Sequence, residues 1–261
     1  GQIVGVRRDI SEVILSELKF LAFLPARPDM ERLRWYFLAL GLASTWIVGL
    51  GRYWDAPEAN WWQYAGLGSL VYTLFMSTFL WALIMPMDPE NWTYLNVVTF
   101  MGMTAPPALL YAIPVERLVE PALASQFNYI FLLVVSLWRV GLLWCFLRRA
   151  ARLKFVSTLF ALAFPLVLIL TFLTLRQWQH NVMGGMSGNR GELHRGTPDI
   201  AYLIISKIGF YSVLLCPVTF LGYVICNAEA KDLKAKAARQ AVLQAQQTTL
   251  PDPATKHDGE V

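Results

Sequence analysis

Phe127–Lys154 reads FNYIFLLVVSLWRVGLLWCFLRRAARLK, and this stretch decides the class of the fold. As a helix, a mostly apolar run of about 21 residues is about 31 Å long, the thickness of a bilayer's hydrocarbon core. The cations Arg148, Arg149, Arg152 and Lys154 follow directly. An excess of Lys and Arg beside a span marks its cytoplasmic end. One such helix is an anchor, and the rest of the chain shows how many more there are.

Of the 261 residues, 56% are hydrophobic and 15% are charged. A soluble domain would carry about 25% charge. The deficit is local, because long apolar runs alternate with short polar gaps. Reading outward from Phe127 gives six spans, at about 35–50, 65–85, 93–113, 127–147, 155–175 and 200–226. Aromatic residues flank the first, with Trp35 and Tyr36 at one end and Tyr53 and Trp54 at the other, as interfacial belts do. Gly41 and Gly49 in that span offer close helix approach, and Thr73, Ser77 and Thr78 give the second span polar contact positions. The third span contains Pro106 and Pro107, which remove two backbone donors and break it near its middle.

Residues 1–34 form an N-terminal segment. Ile10, Val13, Ile14, Leu18, Leu21 and Leu24 recur at helical spacing among charged residues, which predicts an amphipathic helix, lying in the interface or packed on the bundle and ended by Pro25 and Pro28. Val4–Ile14 has no apolar core of the kind a cleavable signal requires. After the last span, residues 227–247 are rich in Ala, Lys and Gln and continue it as a helix. Residues 248–261 read as a disordered tail. With both termini cytoplasmic, the inner segments hold 15 Lys and Arg and the outer segments 5. The turn at 86–92 sits on the inner side with Asp88 and Glu90 and no cation, although anions count little in this rule. The predicted fold is therefore all-α: a polytopic bundle of six transmembrane helices with an N-terminal amphipathic helix and a cytoplasmic C-terminal helix. Short loops suit a bacterial inner membrane.

Several residues are candidates for chemistry. Arg139 is a cation inside the fourth span, and such a residue marks a function or an ion pair by default. Asp88 and Glu90 on the neighbouring turn are its candidate partners. Lys207 lies in the sixth span, with Glu116 and Glu120 of the outer loop as candidate partners. Pro106 and Pro107 point to a cavity, because broken helices line binding sites in transporters. No span holds an interior Asp or Glu, which disfavours proton pumps and cation channels. Arg148, Arg149, Arg152, Lys154, Lys231 and Lys234 suit an anionic lipid surface.

His180 and His194 are 14 residues apart and match no metal or protease spacing. Cys145, Cys216 and Cys226 are expected to pack. Asn91-Trp-Thr93 is a sequon in pattern only, being placed on the inner side. No catalytic residue, metal site or cofactor is predicted. The net charge of +4 arises from the inner segments and does not imply nucleic acid. The expected function is non-enzymatic, as a membrane scaffold, assembly or lipid-handling protein. Its partners would be the bilayer, other membrane proteins or a second copy. The alternative is a transporter or channel for a small, anionic solute, working at the broken third helix.

Overall fold

The computed structural model describes residues 2–25, 30–54, 60–176 and 200–248. The order is α1 (Gln2–Leu21), α2 (Met30–Tyr53), α3 (Trp61–Tyr64), α4 (Leu67–Ile84), α5 (Tyr94–Met103), a 3-10 segment (Pro106–Ala112), α6 (Val115–Leu118), α7 (Pro121–Arg149), α8 (Phe155–Leu175) and α9 (Ile200–Thr248). There is no strand among the described residues. Five helices are long and apolar enough to cross a membrane, and α5 with the 3-10 segment makes a sixth if the bent pair is one span. These are the helices of an integral membrane protein. The gaps are less open than the sequence suggests. α2 runs on to Tyr53, a short helix covers Trp61–Tyr64, and α7 begins at Pro121. Thr248, placed in the tail by composition, is still helical.

α5 is the centre. Every residue from Val97 to Met103 is buried, so past its exposed first turn this helix leaves no face for lipid. Leu80 and Ile84 of α4, Leu142 and Leu147 of α7, Phe164 of α8 and Tyr223 of α9 join Phe100 and Met101 in one apolar core. The outer faces are apolar too. Val71, Phe75, Leu137, Leu214 and Leu221 are exposed, as lipid-facing side chains are in a membrane helix.

Hydroxyls inside the spans are satisfied locally. Thr45 donates to the Gly41 carbonyl at 2.9 Å and Ser77 to the Thr73 carbonyl at 2.7 Å. Each bond closes within one turn of its own helix, so a polar residue adds no unmet group in hydrocarbon.

α2 crosses α5 with the two backbones touching. A Cβ on Gly102 would stand 2.7 Å from the Gly41 carbonyl carbon, and one on Gly41 would stand 3.1 Å from the Met103 nitrogen. Just past this crossing the third span breaks as its prolines require, and the two parts meet at 43°. The Ala105 N–H donates to the Gly102 carbonyl at 3.0 Å, and the Thr104 hydroxyl donates to the Met101 carbonyl at 2.8 Å.

At one end of the bundle the predicted inner segments converge. Arg32 reaches Asp9 at 3.3 Å and Glu12 at 2.9 Å, tying α2 to α1. Arg152 reaches Glu90 at 3.2 Å, Lys154 reaches Glu229 at 2.7 Å, and Lys234 reaches Asp88 at 2.8 Å. This is the basic end.

The Gly41–Gly102 contact has a graded consequence. Gly102→Ala sets its methyl group deepest into opposing backbone and is expected to cost about 1–3 kcal/mol, with Gly41→Ala costing less. Thermal unfolding in detergent checks the order, and equal midpoints for wild type and Gly102→Ala would show that the helices do not touch.

Candidate functional site

Beneath α1, at the basic end, lies a cavity of about 610 Å³. Its walls come from four places. α1 and its exit supply Ser16, Phe20 and Phe23, and α2 supplies Arg34 and Phe37. α5 and the turn before it supply Glu90, Asn96, Thr99, Phe100 and Met103, and α7 with its exit supplies Phe146, Arg149 and Arg152. The floor is aromatic. Phe100 stacks on Phe146 with ring centroids 4.3 Å apart and meets Phe20 edge-on at 5.9 Å. Such ring pairs hold their geometry and keep the floor apolar.

The rim is basic, with three guanidinium groups against one carboxylate. Arg152 is paired with Glu90. Arg149 donates to the Phe23 carbonyl at 3.0 Å, which holds the α1 exit against α7. Arg34 is exposed and makes no ion pair among the described residues. An aromatic floor under a basic rim matches a molecule with an apolar body and an anionic head. The described residues include no group of three His, Cys, Asp or Glu side chains able to hold a metal.

Glu17 sits one turn beyond Val13 on the face that α1 turns toward the bundle. It is 6% exposed, and its Oε1 is enclosed without a hydrogen-bond partner. Burial alone pushes its carboxyl up to about 7. Val13 belongs to a small apolar cluster with Leu33, Phe37 and Met103, against which Phe20 also packs.

Arg139 takes neither partner expected for it. Asp88 is held by Lys234 and Glu90 by Arg152. Arg139 instead crosses from α7 to the break in the third span, where its Nε donates to Thr104 Oγ1 at 3.3 Å. Both acids are exposed at the basic end, whereas Thr104 is buried where α5 stops, so the guanidinium finds the nearer acceptor inside. The cavity is not lined by Arg139, Pro106 or Pro107. Lys207 is exposed on α9 and forms no ion pair among the described residues. The side chain of Glu116 lies outside the described residues, as do His180 and His194.

The other predicted cations are mostly clamps. Arg148 donates to the Leu153 carbonyl at 2.6 Å and closes the turn after α7. Lys154 and Lys234 tie α9 back to the bundle, while Lys231 is exposed. Sequence reasoning missed Arg34, Glu17 and the phenylalanine floor as site residues. One signal was available: Glu17 falls four residues after Val13, on the apolar stripe. No protein-family model, curated protein or solved structure matches this chain.

Thr104 is fully buried and serves both the Met101 carbonyl and Arg139. Thr104→Val keeps its shape and removes both bonds, so it should destabilise by about 1–2 kcal/mol. Arg139→Leu loses one long bond and gains an apolar side chain, and should be near neutral. Thermal midpoints in one detergent decide the order, and the reverse order would mean that Arg139 holds the break together.

Proposed function

We propose that this chain is a non-enzymatic multi-pass membrane protein that handles lipid. It takes an anionic lipid of the leaflet at the basic end, with the head among Arg34, Arg149 and Arg152 and the upper acyl segment on the phenylalanine floor. One observation carries this reading: a cavity of about 610 Å³ lined by phenylalanines, whose charged lining holds three cations against one anion. Near an anionic leaflet each cation contributes about 1 kcal/mol. The basic end is cytoplasmic, because the segments that converge there hold most of the Lys and Arg. Both termini then lie inside, and short loops suit a bacterial inner membrane. α9 continues past its tie at Lys234 as an exposed helix, available to a membrane partner or a second copy.

A second reading rests on Arg139. An intramembrane cation beside a broken helix is a candidate site for a small anion. Thiol labelling of Ala105→Cys and Ser136→Cys separates the two, since reagent reaching both from water would favour transport.

Native mass spectrometry of the purified protein tests the lipid reading. Wild type should retain phosphatidylglycerol over phosphatidylcholine. Arg34→Gln should cut that retention roughly fivefold, the equivalent of about 1 kcal/mol. Equal retention of both lipids, or no loss in Arg34→Gln, would remove the basis of the proposal.

A further inference from the structure

α1 forms one wall of the cavity, and its own packing contains a conflict. The face turned toward the bundle carries Val13 and Glu17 together. A carboxylate buried without a partner is far costlier than a neutral carboxyl in the same place. The flank beside that face is apolar as well. Ile10, Ile14 and Leu18 are exposed there, a stripe suited to the membrane interface. The helix therefore has two places to lie, against α2 and α5 or in the interface alone.

The attachments of α1 are uneven. Its end is anchored to α7, where Trp138 Nε1 donates to the Leu21 carbonyl at 2.9 Å and Arg149 to the Phe23 carbonyl. Phe23 has φ 61°, a left-handed conformation that an ordinary side chain adopts only under constraint. Nearer the start, α1 is held by Arg32, whose ion pairs with Asp9 and Glu12 are solvent-exposed and readily exchanged for water. A helix fixed at one end and loosely tied along its length pivots about the fixed end.

We infer that α1 is a hinged cover on the cavity, seated while Glu17 is neutral and lifted into the interface when Glu17 ionises, which widens the mouth of the cavity for its ligand. The identity of that ligand rests on the lipid reading above, but the movement of α1 does not. Of the ionisable groups on the surrounding elements, α2 brings Arg34 and Tyr36 beside the engaged Arg32, α7 and its exit bring Cys145, Arg149 and Arg152, α5 and the turn before it bring Tyr94 and Glu90, and α1 itself carries Arg7, Arg8, Asp9, Glu12 and Lys19. None of their charges moves the Glu17 carboxyl, and burial is the whole cause.

The direction with pH follows. The carboxyl titrates at about 7 when seated, against 4.5 when free. Seating is complete below the free value and is lost as pH rises through the seated one. The interval between the two corresponds to on the order of 300-fold in the seating equilibrium.

Hydrogen exchange of the full chain in nanodiscs of mixed zwitterionic and anionic phospholipid tests this, at about pH 5.5 and about pH 8, with labelling times scaled to the intrinsic rate. Amides of α1 should lose at least about tenfold in protection at the higher pH, with α8 unchanged. Glu17→Gln, and independently Glu17→Leu, should keep α1 protected at both. The inference is overturned if wild-type α1 is equally protected at both, if both variants keep the wild-type shift, or if α8 loses protection in step with α1. Should α1 open as described while Arg34→Gln keeps its lipid, the cover stands and the lipid reading fails. Should α1 be indifferent to pH while Arg34→Gln loses its lipid, the lipid reading stands and the cover fails.

Discussion

A helix in hydrocarbon has no water to turn to, so each carbonyl it frees must be met by another protein group. The third span frees carbonyls at its middle, because Pro106 and Pro107 carry no N–H. The surrounding structure is arranged to make that break tolerable. α5 is buried on every side from Val97 to Met103, so the break does not face lipid. Thr104 turns its hydroxyl back to the Met101 carbonyl, and Ala105 returns its N–H to Gly102. The Gly41–Gly102 contact brings α2 close enough to shield the last turn of α5. Arg139 then reaches the same point from α7. Helices on either side are thus fixed by the need to enclose one interrupted backbone.

The charges at the basic end have two roles at once. A count of Lys and Arg treats them as a signal for membrane orientation. In the structure they are also the ties between elements. Arg32 joins α1 to α2, Arg152 holds the turn before α5, and Lys154 and Lys234 hold α9. This removes the oddity of a turn at 86–92 with acids and no cations, since its acids are the partners of cations on neighbouring segments. Each pair is exposed and contributes about 0–1 kcal/mol, so the ties set register more than stability. Arg34, which has no ion pair among the described residues, lines the cavity together with the engaged Arg149 and Arg152.

Much of the architecture was legible in one dimension. Six apolar runs, the proline break and the C-terminal helical extension come directly from residue type and spacing, because hydrocarbon thickness fixes helix length. Gly41 was also readable as a point of close approach. Its partner was not, since Gly102 lies in another span and pairing is a matter of crossing geometry. The cavity was invisible for the same reason. Phe20, Phe37, Phe100 and Phe146 come from four helices, and each alone is an ordinary apolar residue. Arg139 stands out in the sequence as an unusual cation, but residue type points to acids as its partners, when the acceptor is a hydroxyl at the break.

Glu17 is a different kind of case, because local pattern and tertiary placement disagree at a single residue. Every other charged side chain of α1 with a described environment faces outward or meets Arg32, as an interfacial helix requires. Only Glu17 is carried inward by the 3.6-residue period that also buries Val13. Had the chain needed only a well-packed helix, a leucine would serve there at no electrostatic cost. A carboxyl in that position makes the contact conditional on a proton, and the helix that bears it is a wall of the cavity at the basic end. Such conflicts between local rule and global packing fall preferentially at working sites. The physical content of the fold, in that sense, is a rigid bundle around α5 with one element whose attachment is left adjustable.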